Sequence, residues 1–239
     1  MSDEKFKTKS FKFKRFFIEG GASGMPVSTD GVMLGAWVES PEDAEILDIG
    51  TGTGLLALMC AQRFSQAQIT ALDIEATAIA AARNNFSQSP WKDRLCVLHT
   101  DVLSFSPKKL FQRIICNPPY FNSGEQSKQS QRAAARHTDS LPHDALLRRC
   151  YQLVEENGKA SFVLPITEGE QFIELALQQS WYLSRLCHVQ PSEKKPVHRL
   201  LFELAKQPCD TQKSHLVIHS SDGYSDHFVQ LTREFYLKM

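Results

Sequence analysis

The residues whose types and spacing best suit chemistry are Asn117-Pro118-Pro119-Tyr120, set directly after the apolar run Ile114-Ile115-Cys116. A β-branched run that stops at two prolines reads as a buried strand leaving its sheet, because proline cannot donate to a central ladder. Proline also fixes its own φ and drives the residue before it into extended backbone. Asn117 would therefore hold its side-chain oxygen, and Pro118 its carbonyl, rigidly toward one cleft. Two acceptors beside the Tyr120 ring suit a planar NH2 group on a flat ring or an amide. The same tetrapeptide would also serve as a Pro-Pro turn with a capping Asn, so the elements around it must decide.

Upstream, Glu45 to Ile49 reads as a strand, followed by Gly50-Thr51-Gly52-Thr53-Gly54 and a helix from Leu55 to Phe64. Glycines at a strand–helix junction let backbone approach a ligand and leave helix N–H groups pointing at it. The dinucleotide fingerprint requires a glycine where Leu55 stands, and no Gly-Lys-Ser/Thr follows, so a P-loop is excluded. What remains is Asp48-x-Gly50-x-Gly52-x-Gly54. A carboxylate ahead of the loop suits a ligand with a cationic head and would repel a pyrophosphate. Asp73 ends the next strand, Gln68 to Leu72, at the spacing from the glycines that favours ribose hydroxyls over a cap for the Ala-rich helix that follows. Asp101, after the strand Leu95 to His99, is placed either to accept from an adenine amino group or to cap a turn.

Strands alternating with helices predict an α/β protein with a mostly parallel sheet. Asp48 to Gly54, Asp73, Asp101 and Asn117 to Tyr120 resemble, in order, the motifs of the class I S-adenosylmethionine-dependent methyltransferases. The Asn-Pro-Pro-Tyr tetrapeptide resembles that of the amino-methylating branch. The flanks MPVSTDGVMLGAW from Met25, Ala135-Arg136-His137, Lys195-Pro196-Val197-His198-Arg199 and the segment from Leu231 to Met239 are similar to the bacterial enzymes that methylate N6 of adenine 37 in a valine tRNA. The resemblance implies a Rossmann-like, mostly parallel seven-stranded sheet with helices on both faces and a last antiparallel strand. It also implies S-adenosylmethionine as cofactor, with Asp48, Gly50, Gly52, Gly54, Asp73 and Asp101 as its ligands and Asn117, Pro118 and Tyr120 as the catalytic set. Its partner is then tRNA, held at the anticodon stem-loop. One domain is expected: an arm and capping helix over 1–40, a cofactor-binding core over 41–206, and an extension over 207–239.

Three basic segments would hold the RNA. Lys5 to Phe17 interleaves six cations, among them Lys12, Lys14 and Arg15, with five phenylalanines. Alternation of that kind puts charge on one face of an extended strand and rings on the other. Phosphate binding and protection of a sheet edge both suit it. Asn122 to Leu141, with Lys128, Arg132, Arg136 and His137, reads as a basic lid. Glu193 to Arg199 adds Lys194, Lys195 and Arg199, and Phe121 is a second stacking ring beside Tyr120.

Composition narrows the classes further. With 27 basic and 27 acidic residues the net charge is zero, so an anionic partner must be held by local patches. Six cysteines without a CxxC point to free buried thiols in a reducing cytoplasm. His215 and His219 have a metal-like spacing, but on a strand they do not converge, and no metal is expected. No membrane segment is apparent. The sequence leaves oligomeric state open, with a monomer the simpler expectation. Glutamine-amide methylation of a protein, DNA-adenine or guanine-N2 methylation, and a non-catalytic RNA-binding module are the competing classes.

Overall fold

The structure, a computed structural model, describes residues 9–21, 26–119 and 141–239. Tyr120, Phe121, Lys128, Arg132, Arg136 and His137 lie outside the described residues, as do Lys5 and Lys7.

The chain runs β1 (Phe11–Lys12), β2 (Phe17–Ile18), α1 (Thr29–Trp37), β3 (Glu45–Ile49), α2 (Leu55–Arg63), β4 (Gln68–Asp73), α3 (Ala76–Ser87), β5 (Leu95–His99) and β6 (Phe111–Cys116). After the undescribed stretch come α4 (His143–Leu153), β7 (Val154–Pro165), α5 (Ile166–Gln178), β8 (Tyr182–Ser192), β9 (Arg199–Ala205), β10 (Gln212–Ser220), β11 (Gly223–Tyr224) and α6 (Asp226–Thr232). Among the described residues, nine strands form one sheet in the order β11-β10-β8-β9-β7-β6-β3-β4-β5. The inner strands β3 and β6 bury most of their residues because both faces are covered, as parallel sheets require. β9 inserts antiparallel between β7 and β8. The expected seven strands are thus present, and β10 and β11 carry the sheet two strands further.

β10 pairs parallel to β8 and buries Leu216 and Ile218 against Phe228 of α6, so the last segment is a full strand, a short hairpin and a helix. Cys96 and Cys209 depart from the expectation of buried thiols and are exposed, Cys96 because β5 is the outer strand of the sheet.

The N-terminal segment is a hairpin, not one alternating strand: Phe11 pairs with Ile18 and Lys12 with Phe17. The turn brings Phe13 and Phe16 into a stack 4.5 Å apart, and both are buried in the core. Phe13 and Phe16 therefore anchor this segment, while Lys12, Lys14, Arg15 and Phe17 face outward. Ser28 caps α1, its hydroxyl accepting from Gly31 N at 3.1 Å. Gly31 and Gly35 then present a bare face on which Leu55 and Met59 of α2 pack closely.

Candidate active site

Register gathers the strand ends. Ile49 lies beside Cys116 on one side and Leu72 on the other, and Asp73 lies beside His99. Gly50, Asp73, Asp101 and Asn117 therefore lie at the carboxyl ends of four adjacent strands. The chain leaves β3 toward β4, while β6 flanks β3 on the opposite side. The gap between β3 and β6 is thus the topological switch point, where open α/β sheets bind ligands.

Gly50 and Gly52 have φ of +69° and +56°, a region costly for side chains, and a Cβ on either would meet nothing within 4 Å. Both face open space. Gly54 is different: its φ is +86°, and a Cβ there would lie 2.5 Å from Phe86 Cε1, so this glycine makes room for α3. The loop is pinned from several directions. Gly50 N and Thr51 N both donate to Leu72 O at 2.9 Å, and Gly52 N donates to Asp73 Oδ2 at 2.9 Å. Buried Asn85 donates to Thr53 O at 2.9 Å and exchanges hydrogen bonds with the Glu19 backbone. Sequence reasoning misses Asn85; its one signal is a polar pair, Asn84-Asn85, closing an Ala-rich helix.

Asp48 is 0% exposed. Its Oδ2 accepts from Thr51 Oγ1 at 2.6 Å and from Ala57 N at 3.2 Å. Oδ1 is buried with no partner among the described residues. Burial pushes the carboxyl up to about 7, against the two hydrogen bonds, and the nearby Asp73 charge adds to the rise. A carboxylate so placed gains strongly from an approaching cation. Asp73 gives one oxygen to Gly52 N and the other to Glu75 N, so it organises the loop and opens α3 while each oxygen keeps a spare lone pair. Asp101 is exposed and accepts from Leu103 N at 2.9 Å, closing a turn.

Asn117 follows β6 directly, and Pro118 after it is buried. The Asn117 Oδ1 atom is buried and has no hydrogen-bond partner among the described residues. An orphaned buried acceptor costs about 1–3 kcal/mol, which a bound donor would recover. The turn has a support that local sequence does not show: His143, the first residue of α4, places Nε2 3.4 Å from Pro119 O. Its ring sits edge-on to Phe172, burial holds it below its usual pKa, and toward a carbonyl oxygen Nε2 can only donate.

The basic residues divide. Lys194 and Lys195 are exposed in the β8–β9 loop, at the same sheet end as Asn117. Arg199 is committed to an ion pair with Asp30 at 2.8 Å, which ties the start of β9 to the first turn of α1. Lys14 Nζ donates to Arg233 O at the end of α6, and the Arg15 guanidinium lies 5.6 Å from the centre of the Trp91 ring. Lys12 is exposed on β1.

A mostly parallel sheet of this order, with a glycine loop and an Asn-Pro-Pro turn flanking its switch point, defines a class I methyltransferase. Residues 31–144 match the methyltransferase small domain family. Over 239 residues, covering all of both chains, the sequence is 79% identical to the tRNA1(Val) (adenine(37)-N6)-methyltransferase of Vibrio parahaemolyticus serotype O3:K6 (strain RIMD 2210633). It is 59% identical, again over all of both chains, to the protein of that name from Vibrio vulnificus (strain YJ016). The chain belongs to the family of tRNA1(Val) (adenine(37)-N6)-methyltransferases. Among solved structures, an Agrobacterium tumefaciens protein described as a predicted O-methyltransferase superposes with a TM-score of 0.68 at 16% identity, covering 86% of this chain and 96% of that one. A putative class I S-adenosylmethionine-dependent methyltransferase from Listeria monocytogenes gives 0.56 at 12% identity, covering 82% and 69%. These last two are likenesses of fold.

Proposed function

We propose that the protein transfers a methyl group from S-adenosylmethionine to N6 of adenine 37, beside the anticodon of tRNA1(Val). The observation that carries this reading is the buried, unpartnered Asn117 oxygen at the switch point, next to the open glycine loop. It is an acceptor waiting for an N–H donor in the place where a ligand binds.

The residues fit the cofactor. Gly50 and Gly52 leave a cradle that a Cβ would narrow, the free Asp48 oxygen suits a cationic head, and Asp73 has lone pairs left for ribose hydroxyls. Bound there, S-adenosylmethionine supplies an activated methyl on a sulfonium centre. The remaining work falls to the chain. An adenine N6 lone pair is delocalised into the ring and attacks poorly. Asn117 Oδ1 and the Pro118 carbonyl, accepting the two N6 hydrogens, favour a pyramidal nitrogen with its lone pair free to react. Each such hydrogen bond strengthens as charge develops and is worth on the order of 3 kcal/mol. Rigid positioning supplies much of the rest, and the two prolines with His143 provide it. The surplus proton leaves N6 for water after transfer. The target base must be unstacked to enter, which costs least in a loop.

In this reading 41–206 is the catalytic core, with 1–40 and 207–239 as additions, and the reaction takes place in the cytoplasm. Lys194, Lys195 and Lys12 are exposed to meet phosphate, whereas Arg199 and Lys14 act through the protein itself.

Asp73→Ala is expected to weaken S-adenosylmethionine binding by about 10–100-fold, the range of a hydrogen bond to a charged group. Calorimetry checks this, and an unchanged affinity would count against the ribose assignment. The double variant Lys194→Ala/Lys195→Ala is expected to lower tRNA affinity and to flatten its dependence on log salt by up to about 2, one unit for each phosphate no longer neutralised. A slope equal to that of the parent would remove these lysines from the interface.

The test of the function is incubation of the pure protein with radiolabelled S-adenosylmethionine and total tRNA from a strain lacking the activity, followed by nucleoside analysis. N6-methyladenosine in a single valine tRNA is the expected result. Label in protein, or in DNA offered in parallel, would overturn the RNA reading.

A further inference from the structure

The far edge of the sheet carries a feature that the reaction does not use. Phe228 of α6 is buried, Tyr224 of β11 lies 5.0 Å from it at 26°, and His219 of β10 lies 4.9 Å from Tyr224 at 27°. The three rings form a ladder from the core to the surface: Phe228 is 1% exposed and Tyr224 49%, and His219 is exposed at the outer end. His219 is also held from the side, with Nδ1 3.1 Å from the Pro191 carbonyl, where a neutral or charged ring donates. β10 buries Leu216 and Ile218 on one face against α6, while His215 and His219 stand exposed on the other.

The ladder is continuous with the cleft rim. His219 pairs in register with Ser192, and Ser192 O accepts from Lys195 N at 3.0 Å, so exposed Lys194 and Lys195 begin directly beside it. β10 is parallel to β8, so His219 lies at the same end of the sheet as Asn117. Four strand spacings separate β10 from β6, about 19 Å at roughly 4.8 Å each. An exposed ring already stacked and hydrogen-bonded from behind loses little freedom when a base settles on its outer face. Single-stranded RNA is recognised in this way, by aromatic platforms flanked by cations.

We propose that His219, backed by Tyr224 and Phe228 and flanked by Lys194 and Lys195, is a second RNA contact on which an unpaired nucleotide of the substrate stacks while the target adenine occupies the cleft. This rests on the tRNA reading above. The test is fluorescence anisotropy with a labelled anticodon stem-loop of the valine tRNA, alongside KM for the same RNA. His219→Ala, a surface change, is expected to raise Kd and KM about ten-fold, the scale of one base–aromatic stack, with S-adenosylmethionine affinity unmoved. His219→Tyr keeps a ring and is expected to restore most of the loss.

Equal affinity of parent and alanine variant, with methylation intact in the parent, overturns the platform and leaves the function standing. Equal loss in the alanine and tyrosine variants overturns stacking as the cause. A parent that neither binds nor methylates the stem-loop overturns the tRNA reading and the platform with it.

Discussion

Asn117→Ala is expected to lower the methyl-transfer rate by roughly 10²–10³-fold, the usual cost of removing one hydrogen-bond partner from a developing charge. S-adenosylmethionine affinity should stay within a few-fold of the parent, because the residues proposed to hold the cofactor lie at the ends of β3, β4 and β5, whereas Asn117 follows β6. The variant should also melt slightly higher. Asn117 Oδ1 is a buried acceptor without a partner among the described residues, so deleting it relieves about 1 kcal/mol of unsatisfied polarity. Higher stability with lost turnover is the signature of a residue held for chemistry. Asn117→Asp keeps the acceptor and should retain more activity than alanine. Single-turnover kinetics with calorimetry separate the two effects, and a matching fall in cofactor affinity would reassign Asn117 to cofactor binding.

The second large effect belongs to Asp48. Its carboxyl titrates near 7 against an ordinary 3.8, with burial the main cause. The proton is therefore bound more tightly in the folded protein than in the unfolded chain. Stability from this group is full below about pH 4 and is lost as pH rises to about 7. The difference of about 3 units corresponds to on the order of 4 kcal/mol of burial cost at pH 8. Asp48→Asn keeps an oxygen for Thr51 and Ala57 but carries no charge. It is expected to raise the melting temperature by roughly 8–16 °C at pH 8, and by less than half of that at pH 5.

Cofactor binding should move the other way. A cationic ligand favours the ionised form, so the parent's affinity should tighten as pH rises from about 6 to about 7.5 and then level, while the variant binds weakly with a flat profile. Thermal melts and binding isotherms across this range check both halves. A flat profile in the parent, or no thermal gain in the variant, would sink the assignment of Asp48 to the cationic head.

Local patterning carried most of the framework. β5 matches its expected bounds, Leu95–His99, and most other elements of the core lie within a few residues of theirs. β7 begins at Val154 although the residues after it are polar, because Val154 pairs with Phe111 and, past an irregular step, Lys159 pairs with Arg113. The N-terminal segment shows the opposite limit. Its alternation suited one strand, yet burying Phe13 and Phe16 against Trp91 and Tyr236 gains more than an extended edge could, and the chain folds back.

Sequence alone determined what depends on neighbours in the chain: strand runs, the Ser28 cap, the glycine loop after β3, and an amide made rigid by the prolines after it. Each follows from backbone preference or side-chain periodicity within a few residues. Tertiary structure alone decided which polar groups remain available. Arg199 finds Asp30 169 positions away and Lys14 finds Arg233 219 away, so two expected phosphate ligands are tied to the protein itself. His143 reaches Pro119, Asn85 reaches the glycine loop, and Gly54 yields its space to Phe86. A hydrogen-bond partner or a packed neighbour so far along the chain leaves no trace in local composition, because the energy that selects it exists only once the sheet has assembled.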